Sequence, residues 1–365
     1  MGHFVEYWNK LWLPLLARPF MLNKPPIKVA FQTTKECNLS CIHCSSLKDA
    51  LSAKNLDTEE CKNLFLDLKK LGTVIFILTG GEPLLRPDIF ELVEYCSRIN
   101  LYVGVATNGT LLTREKALKL KELGLNWFHL SLDGPDALAH ELLRGKGSFQ
   151  DTIKGIKNAV STGLPVNITT TVTKANKDLL EEILDLMVSL KVRQWSPNLL
   201  VPCGSAKKIY TEEAITNKKT ALEFVETIYS LEQKFKGRVN IYMHDPQFYS
   251  AYLLLKKETG FFRKAMLKFR GGCAAMNGLT LYIGPDGAVK PCSYFPEFLP
   301  GENVRDKRIK EIYFKNEFLK GLRNKRNLKG KCARCRLLCV CGGCRSRAYV
   351  LTGDALAQDD SCPFF

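Results

Sequence analysis

The chain lacks any stretch long and apolar enough to cross a bilayer. Its best early candidate, residues 11–17, is interrupted by Pro14 and preceded by Glu6 and Lys10. A span needs roughly 20 apolar residues. No secretory signal precedes the first strand-like run. Met1-Gly2 opens a myristoylation pattern, but Glu6 stands where that pattern wants Ser or Thr. The expected location is the cytoplasm. A long basic tail and an Arg-Gly-rich segment are also missing, which disfavours nucleic acid as a partner.

The 365 residues, 45% of them hydrophobic, suffice for one large α/β domain and a smaller one. The formal charge of +16 points to an anionic partner, a carboxylated substrate or an acidic protein. Cysteine thiolates holding clusters would lower that figure by roughly one or two charges per cluster. Fourteen cysteines is a high count for an intracellular chain, and they are grouped: C-x3-C-x2-C early, C-x2-C-x5-C-x2-C late. Such grouping favours metal over disulfides.

Residues 1–26 carry Phe4, Tyr7, Trp8, Trp12 and Phe20 and are expected to form a helical segment capping the core. From 27 to about 200, short apolar runs alternate with amphipathic stretches. Strand-like runs fall at 27–33, 74–79, 102–107, 127–132, 166–172 and 193–200. Near-continuous apolar strands separated by helices argue for a parallel sheet. Six such units make a partial (β/α)6 barrel, with a flavodoxin-like open sheet as the competing architecture. Residues 27–235 are expected to form this barrel and 236–270 a connector. Residues 271–365 form a second domain with eight of the fourteen cysteines.

Cys37, Cys41 and Cys44 follow the first strand-like run. Three thiolates on one loop can hold three irons of a cubane [4Fe-4S] cluster and leave the fourth iron open. Structural zinc usually closes on four ligands. The spacing resembles the signature of the radical S-adenosylmethionine (SAM) superfamily. The second run ends in Gly80-Gly81-Glu82-Pro83, where paired glycines let backbone approach a ligand; it is similar to that family's GGEP motif, which contacts the methionyl amino group. Asn108, Ser131 and Asp133 sit at strand ends, where short polar groups suit ribose hydroxyls and equally suit turns. The resemblance implies that Ser131, Asp133 and Asn108 contact SAM. It also implies that Arg144 meets the SAM carboxylate and that the ring of His43 lies near adenine. The implied chemistry is reductive cleavage of SAM to a 5′-deoxyadenosyl radical that abstracts a substrate hydrogen.

The late cysteines resemble the SPASM domain of radical SAM maturases. That resemblance assigns Cys332, Cys335, Cys341 and Cys362 to one auxiliary iron–sulfur cluster, and Cys273, Cys292 and Cys344 to another. The chain departs from the usual pattern by one missing cysteine, so one or two auxiliary clusters are expected. Cys339 is left over as a candidate fourth ligand. Cys61 and Cys96 are expected to be ordinary buried thiols.

Two segments, 341–354 and 302–305, resemble the branch that trims side chains of tetrapyrroles in haem d1 and alternative haem biosynthesis. The expected function is modification or decarboxylation of a side chain of a tetrapyrrole-like precursor. A maturase of a ribosomally made peptide or protein side chain is the alternative. A non-enzymatic metal-binding module is the second, against which the GGEP loop argues. An electron donor such as ferredoxin or flavodoxin is implied.

Overall fold

The computed structural model describes residues 25–46, 54–215, 217–243, 246–256, 259–270 and 272–364. The aromatic opening, residues 1–24, lies outside the described residues, and so does the helix expected there.

Strand β1 (Lys28–Gln32) is followed by the cysteine loop and helix α1 (Thr58–Leu71). Asp57 caps α1: its side chain accepts from the Glu60 N–H, and the Glu60 carboxylate accepts from the Asp57 N–H, each at 2.8 Å. This reciprocal box satisfies two donors that a helix start leaves open. Strands β2 (Ile75–Thr79), β3 (Tyr102–Thr107), β4 (Trp127–Ser131), β5 (Val166–Val172) and β6 (Gln194–Leu199) follow. Between them lie α2 (Ile89–Arg98), α3 (Arg114–Glu122), α4 (Ala137–Arg144), α5 (Ser148–Ser161) and α6 (Leu180–Ser189). Then come α7 (Lys218–Lys234), β7 (Asn240–Ile241), α8 (Pro246–Leu255) and α9 (Phe261–Arg270). The last third holds β8 (Thr280–Ile283), β9 (Val289–Lys290) and α10 (Ile309–Lys315). Two longer helices follow, α11 (Glu317–Arg323) and α12 (Arg345–Thr352), with a single helical turn at Gly330–Ala333 between them.

Among the described residues nine strands form one sheet, in the order β7-β6-β5-β4-β3-β2-β1-β8-β9. Strands β1 to β7 follow one another in parallel without a reversal of order. A doubly wound sheet would reverse at a switch point; this one winds in a single direction, as a partial barrel does. The sheet also extends past the six expected units. β7 adds to β6, and β8 adds in parallel to β1, Lys28 opposite Thr280 and Ala30 opposite Tyr282. The β8–β9 hairpin turns through 284–287, with Gly287 at φ 92°. The second cysteine region is thus hydrogen-bonded to the first strand of the barrel.

Alternation along the strands separates two faces. Phe31 and Phe76 pack on Phe65 of α1, at ring distances of 5.5 and 4.6 Å, so these positions face the helices. Lys28, Ala30 and Gln32 therefore face the interior. So do Ile75, Tyr102 and Trp127, which form an apolar cluster apart from the main core. Tyr102 stacks on Trp127 at 4.9 Å. Gly104 makes room for that ring, since a Cβ there would lie 2.2 Å from the indole.

Candidate functional site

The cysteine loop leaves the C-terminal end of β1, where parallel barrels build their sites. Cys37, Cys41 and Cys44 are half-buried. The Leu39 N–H points at Cys37 Sγ at 3.5 Å. Burial pushes the Cys41 thiol up, and the nearby Arg144 guanidinium pulls it down.

The 80–83 loop is fastened to the lead-in of the cysteine loop. The Gly81 N–H donates to Thr34 O and the Glu82 N–H to Glu36 O, both at 2.8 Å. A Cβ on Gly81 would lie 2.0 Å from the Glu36 carbonyl oxygen. Gly81 is therefore needed for backbone to pass against backbone. Pro83 opens a single 3₁₀ turn, 83–85. Glu82, fully buried, accepts from Thr107 Oγ1 at 2.7 Å, the Asn108 N–H at 2.9 Å and the Leu84 N–H at 3.0 Å. Burial pushes its carboxyl up, against the pull of these hydrogen bonds. Glu82 thus ties the end of β2 to the end of β3. Asn108 in turn donates to Asn38 Oδ1 at 2.9 Å and faces Cys37 Sγ at 3.9 Å.

On the other side of the loop Asp133 is a hub. Its Oδ2 accepts from Arg144 Nε at 2.6 Å and lies 3.3 Å from His43 Nε2. Its Oδ1 accepts from the Thr171 N–H at 2.7 Å, and its own N–H donates to His140 Nδ1 at 3.2 Å. Burial raises the carboxyl most, but Arg144, His43, His140 and the Thr171 N–H together outweigh it and hold Asp133 below the usual range. Burial takes His43 down to about 4, although its Nδ1 lies 3.2 Å from Leu143 O. Arg144 NH1 faces Cys41 Sγ at 4.0 Å. Ser131 is half-buried at the end of β4. His43, Glu82, Asn108, Asp133 and Arg144 are thus gathered around Cys37–Cys44 by contacts that are largely between protein groups.

The late cysteines surround a second place. Cys332, Cys335, Cys341 and Cys362 line one small cavity, completed by Leu337, Gly342, Gly343 and Phe364. Backbone N–H groups of Leu337 and Gly343 point at Cys335 Sγ and Cys341 Sγ at 3.3 and 3.4 Å. Arg345 NH2 lies 3.8 Å from Cys332 Sγ. A set of four thiolates in an apolar cavity, with N–H groups aimed at sulfur, fits an iron–sulfur cluster. Cys292 is pushed up to about 12 by burial and by the neighbouring Cys273. The Cys344 N–H donates to Asp359 Oδ2 at 2.7 Å. Cys339 is exposed, whereas Cys61 and Cys96 are fully buried thiols in the core. Among the described residues no three His, Cys, Asp or Glu side chains close on a single-ion position.

Sequence reasoning missed several residues that organise these places: Thr107, Thr171, His140, Arg345, Arg347 and Asp359. Asp359 stands in a turn three positions before Cys362, where its Oδ1 accepts from the Ser361 N–H at 3.2 Å.

Comparison with known proteins gives the family. The family model of the radical SAM superfamily matches residues 31–187, and that of an iron-sulfur cluster-binding domain, SPASM, matches 273–336. An AdoMet-dependent heme synthase of Oleidesulfovibrio alaskensis is 32% identical over 350 residues, covering 92% of this chain and 87% of that protein. A PqqA peptide cyclase of Methylocella silvestris is 28% identical over 350 residues, covering 92% and 87%. The crystal structure of Streptococcus suis SuiB bound to its precursor peptide SuiA shares the fold, with TM-score 0.75 and 19% identity over 93% of this chain and 76% of that one. The first family model implies a [4Fe-4S] cluster and SAM, and the second implies auxiliary iron–sulfur clusters. The chain is an enzyme and belongs to the radical SAM superfamily, in the group that carries a SPASM domain.

Proposed function

We propose that the enzyme modifies or decarboxylates a side chain of a carboxylated, tetrapyrrole-like cofactor precursor. The observation that carries this reading is the near full-length similarity to a heme synthase, at 32% identity. The charge of +16 agrees with it, since carboxylates need basic partners. Modification of a peptide is the second reading, favoured by the peptide cyclase relative at 28% identity.

When bound, the cluster and SAM supply one-electron reductive cleavage of the sulfonium. The chain's own residues prepare the place. Cys37, Cys41 and Cys44 would hold the cluster. Gly80, Gly81 and Glu82 fix the loop that would face the methionyl end of SAM. Asp133 holds Arg144 by its Nε, leaving the rest of that guanidinium near Cys41 for a carboxylate. Asp133 and His43 thereby position Arg144, and Ser131 and Asn108 remain candidates for the nucleoside. Cys332, Cys335, Cys341 and Cys362 would hold one auxiliary cluster; Cys273, Cys292 and Cys344 would hold another. An acidic one-electron donor, a ferredoxin or flavodoxin, fits the exposed basic groups Arg326, Lys331, Arg334 and Arg336 beside Cys335. Among the described residues no helix is long and apolar enough to cross a membrane.

The test is an anaerobic incubation of iron-loaded enzyme with SAM, a reductant and either a carboxylated iron porphyrin or a PqqA-type peptide. Mass spectrometry should show 5′-deoxyadenosine together with loss of carbon dioxide from the porphyrin. A changed peptide and an unchanged porphyrin would replace the first reading by the second.

A further inference from the structure

The late cysteine region buries more cations than anions. Among the described residues from 310 to 364, three charged side chains are buried: Arg345 and Arg347, each 1% exposed, and Asp359, 2% exposed. Asp359 is committed to Arg347, whose Nη2 and Nε donate to it at 3.1 and 3.4 Å, and to the Cys344 N–H at 2.7 Å. Arg345 has no carboxylate at ion-pair distance among the described residues. Asp354, next to the Ala355 carbonyl that Arg345 binds, is held at the surface by Lys329 at 2.7 Å.

The Arg345 guanidinium is satisfied on one edge only. Its Nη1 donates to Ala355 O at 3.0 Å and to Ala357 O at 2.6 Å. Its Nη2 faces Cys332 Sγ at 3.8 Å. Its Nε is buried and has no hydrogen-bond partner. Gly343, at φ 65°, leaves room for the group, since a Cβ there would lie 2.6 Å from Nη2. Cys332 and Gly343 both line the small cavity that Cys335, Cys341 and Cys362 share. Arg345 also follows Cys344 directly in the chain. Its backbone therefore adjoins one late cysteine set, and its guanidinium reaches the other. A guanidinium does not shed its charge in a protein. Burying that charge with an open N–H is costly unless an anion stands opposite.

We propose that Arg345 is the buried counter-charge of the auxiliary cluster in the Cys332–Cys335–Cys341–Cys362 cavity and raises that cluster's reduction potential. This rests on the ligand set assigned to the cavity above. Arg345 ligates nothing; it is a positioning residue that acts through the charge it holds beside a ligand sulfur. Reduction adds a negative charge to a group that is already anionic, and an apolar cavity by itself opposes that step. A cation fixed at the cavity wall favours the reduced state, and burial keeps salt from screening it.

The experiment uses the iron-loaded full chain under anaerobic conditions, with each cluster followed by electron paramagnetic resonance during a potentiometric titration. Cys335→Ser should remove or alter one late signal and leave the early one. If it alters neither late signal, the ligand set falls, and the role of Arg345 falls with it. Arg345→Gln should move that same late signal to lower potential with iron content unchanged. Arg345→Lys should keep most of the wild-type potential. Both variants lose the fork onto Ala355 and Ala357, so both should melt at lower temperature, but only Arg345→Gln should move the potential. Its shift should persist from about 0.05 to 0.5 M salt, because counterions do not reach the charge. Equal potentials in Arg345→Gln and wild type, or equal shifts in the two variants, would reduce Arg345 to a brace for residues 355–357. Either result overturns the proposal and leaves the ligand set standing. Should Arg345→Gln load without the cavity cluster, Arg345→Lys decides: retention of the cluster at wild-type potential supports the counter-charge, and its loss overturns it.

Discussion

The two cysteine regions are built differently. Cys37, Cys41 and Cys44 lie half-buried on a loop, whereas Cys332, Cys341, Cys344 and Cys362 are buried. The early loop is held from outside: Glu82 fastens one flank and the Asp133–Arg144 pair the other. The late region is held from within. Arg347 pairs with Asp359 at 3.1 Å, both fully buried, and Asp359 also accepts from the Cys344 N–H. Arg345 donates to the carbonyls of Ala355 and Ala357 at 3.0 and 2.6 Å. A cluster that must admit a ligand to one iron needs reachable thiolates on a supported loop. A cluster meant to keep its protein ligands gains from a closed cavity, where exclusion of water and N–H groups aimed at sulfur set its potential.

Four measurements would break or sharpen this contrast. The largest effect is expected from replacing Cys37, Cys41 and Cys44 together by Ala. Reductive SAM cleavage should fall to the level of the enzyme-free mixture, while iron bound by the late cysteines persists. Loss of all iron would show that the two regions are not independent. Next is Asp359→Ala, which leaves the buried Arg347 without its carboxylate and Cys344 without its acceptor. Removing one partner of a buried pair costs about 3–5 kcal/mol. Thermal unfolding should show a drop of that order, with auxiliary iron lost before the early cluster. An unchanged melting temperature would deny the late region its internal brace.

Gly81→Ala tests the brace on the early side. A methyl placed 2.0 Å from a backbone oxygen forces the two loops apart. Overpacking of this kind costs about 1–3 kcal/mol. SAM affinity should weaken while the late clusters keep their spectra. The smallest effect is expected at the clasp between the regions, where Arg305 holds Glu60 at 2.6 and 2.8 Å. Arg305 and the Asp57 N–H bring the Glu60 carboxyl down to about 2 from its ordinary 4.5. A depressed carboxylate contributes stability above its unfolded value, and that contribution fades as pH falls from about 4.5 toward 2. Both side chains are about one-third exposed, so solvent screening limits the pair to less than about 1 kcal/mol. Glu60→Gln should lower stability at neutral pH by less than about 1 kcal/mol, and its difference from the wild type should vanish as pH falls through the window from about 4.5 to 2.

Much of the fold was legible because local chemistry wrote it. Asp57 and Glu60 start α1 by a box of side chains three residues apart. Gly287 turns a hairpin that only a positive φ permits. The cysteine spacings were readable because a cluster needs its ligands close along the chain. The partners of those loops were less legible. Asp133 was expected at ribose, but in the fold it is enclosed by Arg144, His43 and the Thr171 N–H, which come from three different segments. Gly81 was expected to make room for a ligand, and it makes room for Glu36. In both cases the neighbour is distant in sequence, and no periodicity announces it.

By itself the sequence determined the succession of strands and helices, the early thiolate loop and the late cysteine set, because each depends on residues within a turn or two of one another. Only the tertiary structure decided which face of each strand looks inward. In a parallel barrel both faces are covered, so apolar side chains occupy both and the alternation is blurred. Closing the sheet sorted Lys28, His129 and Trp127 to the interior and Val29, Phe31 and Phe76 to the helices. It also laid β8 beside β1, which brought Cys292, some 260 positions along the chain, to the level of Lys28.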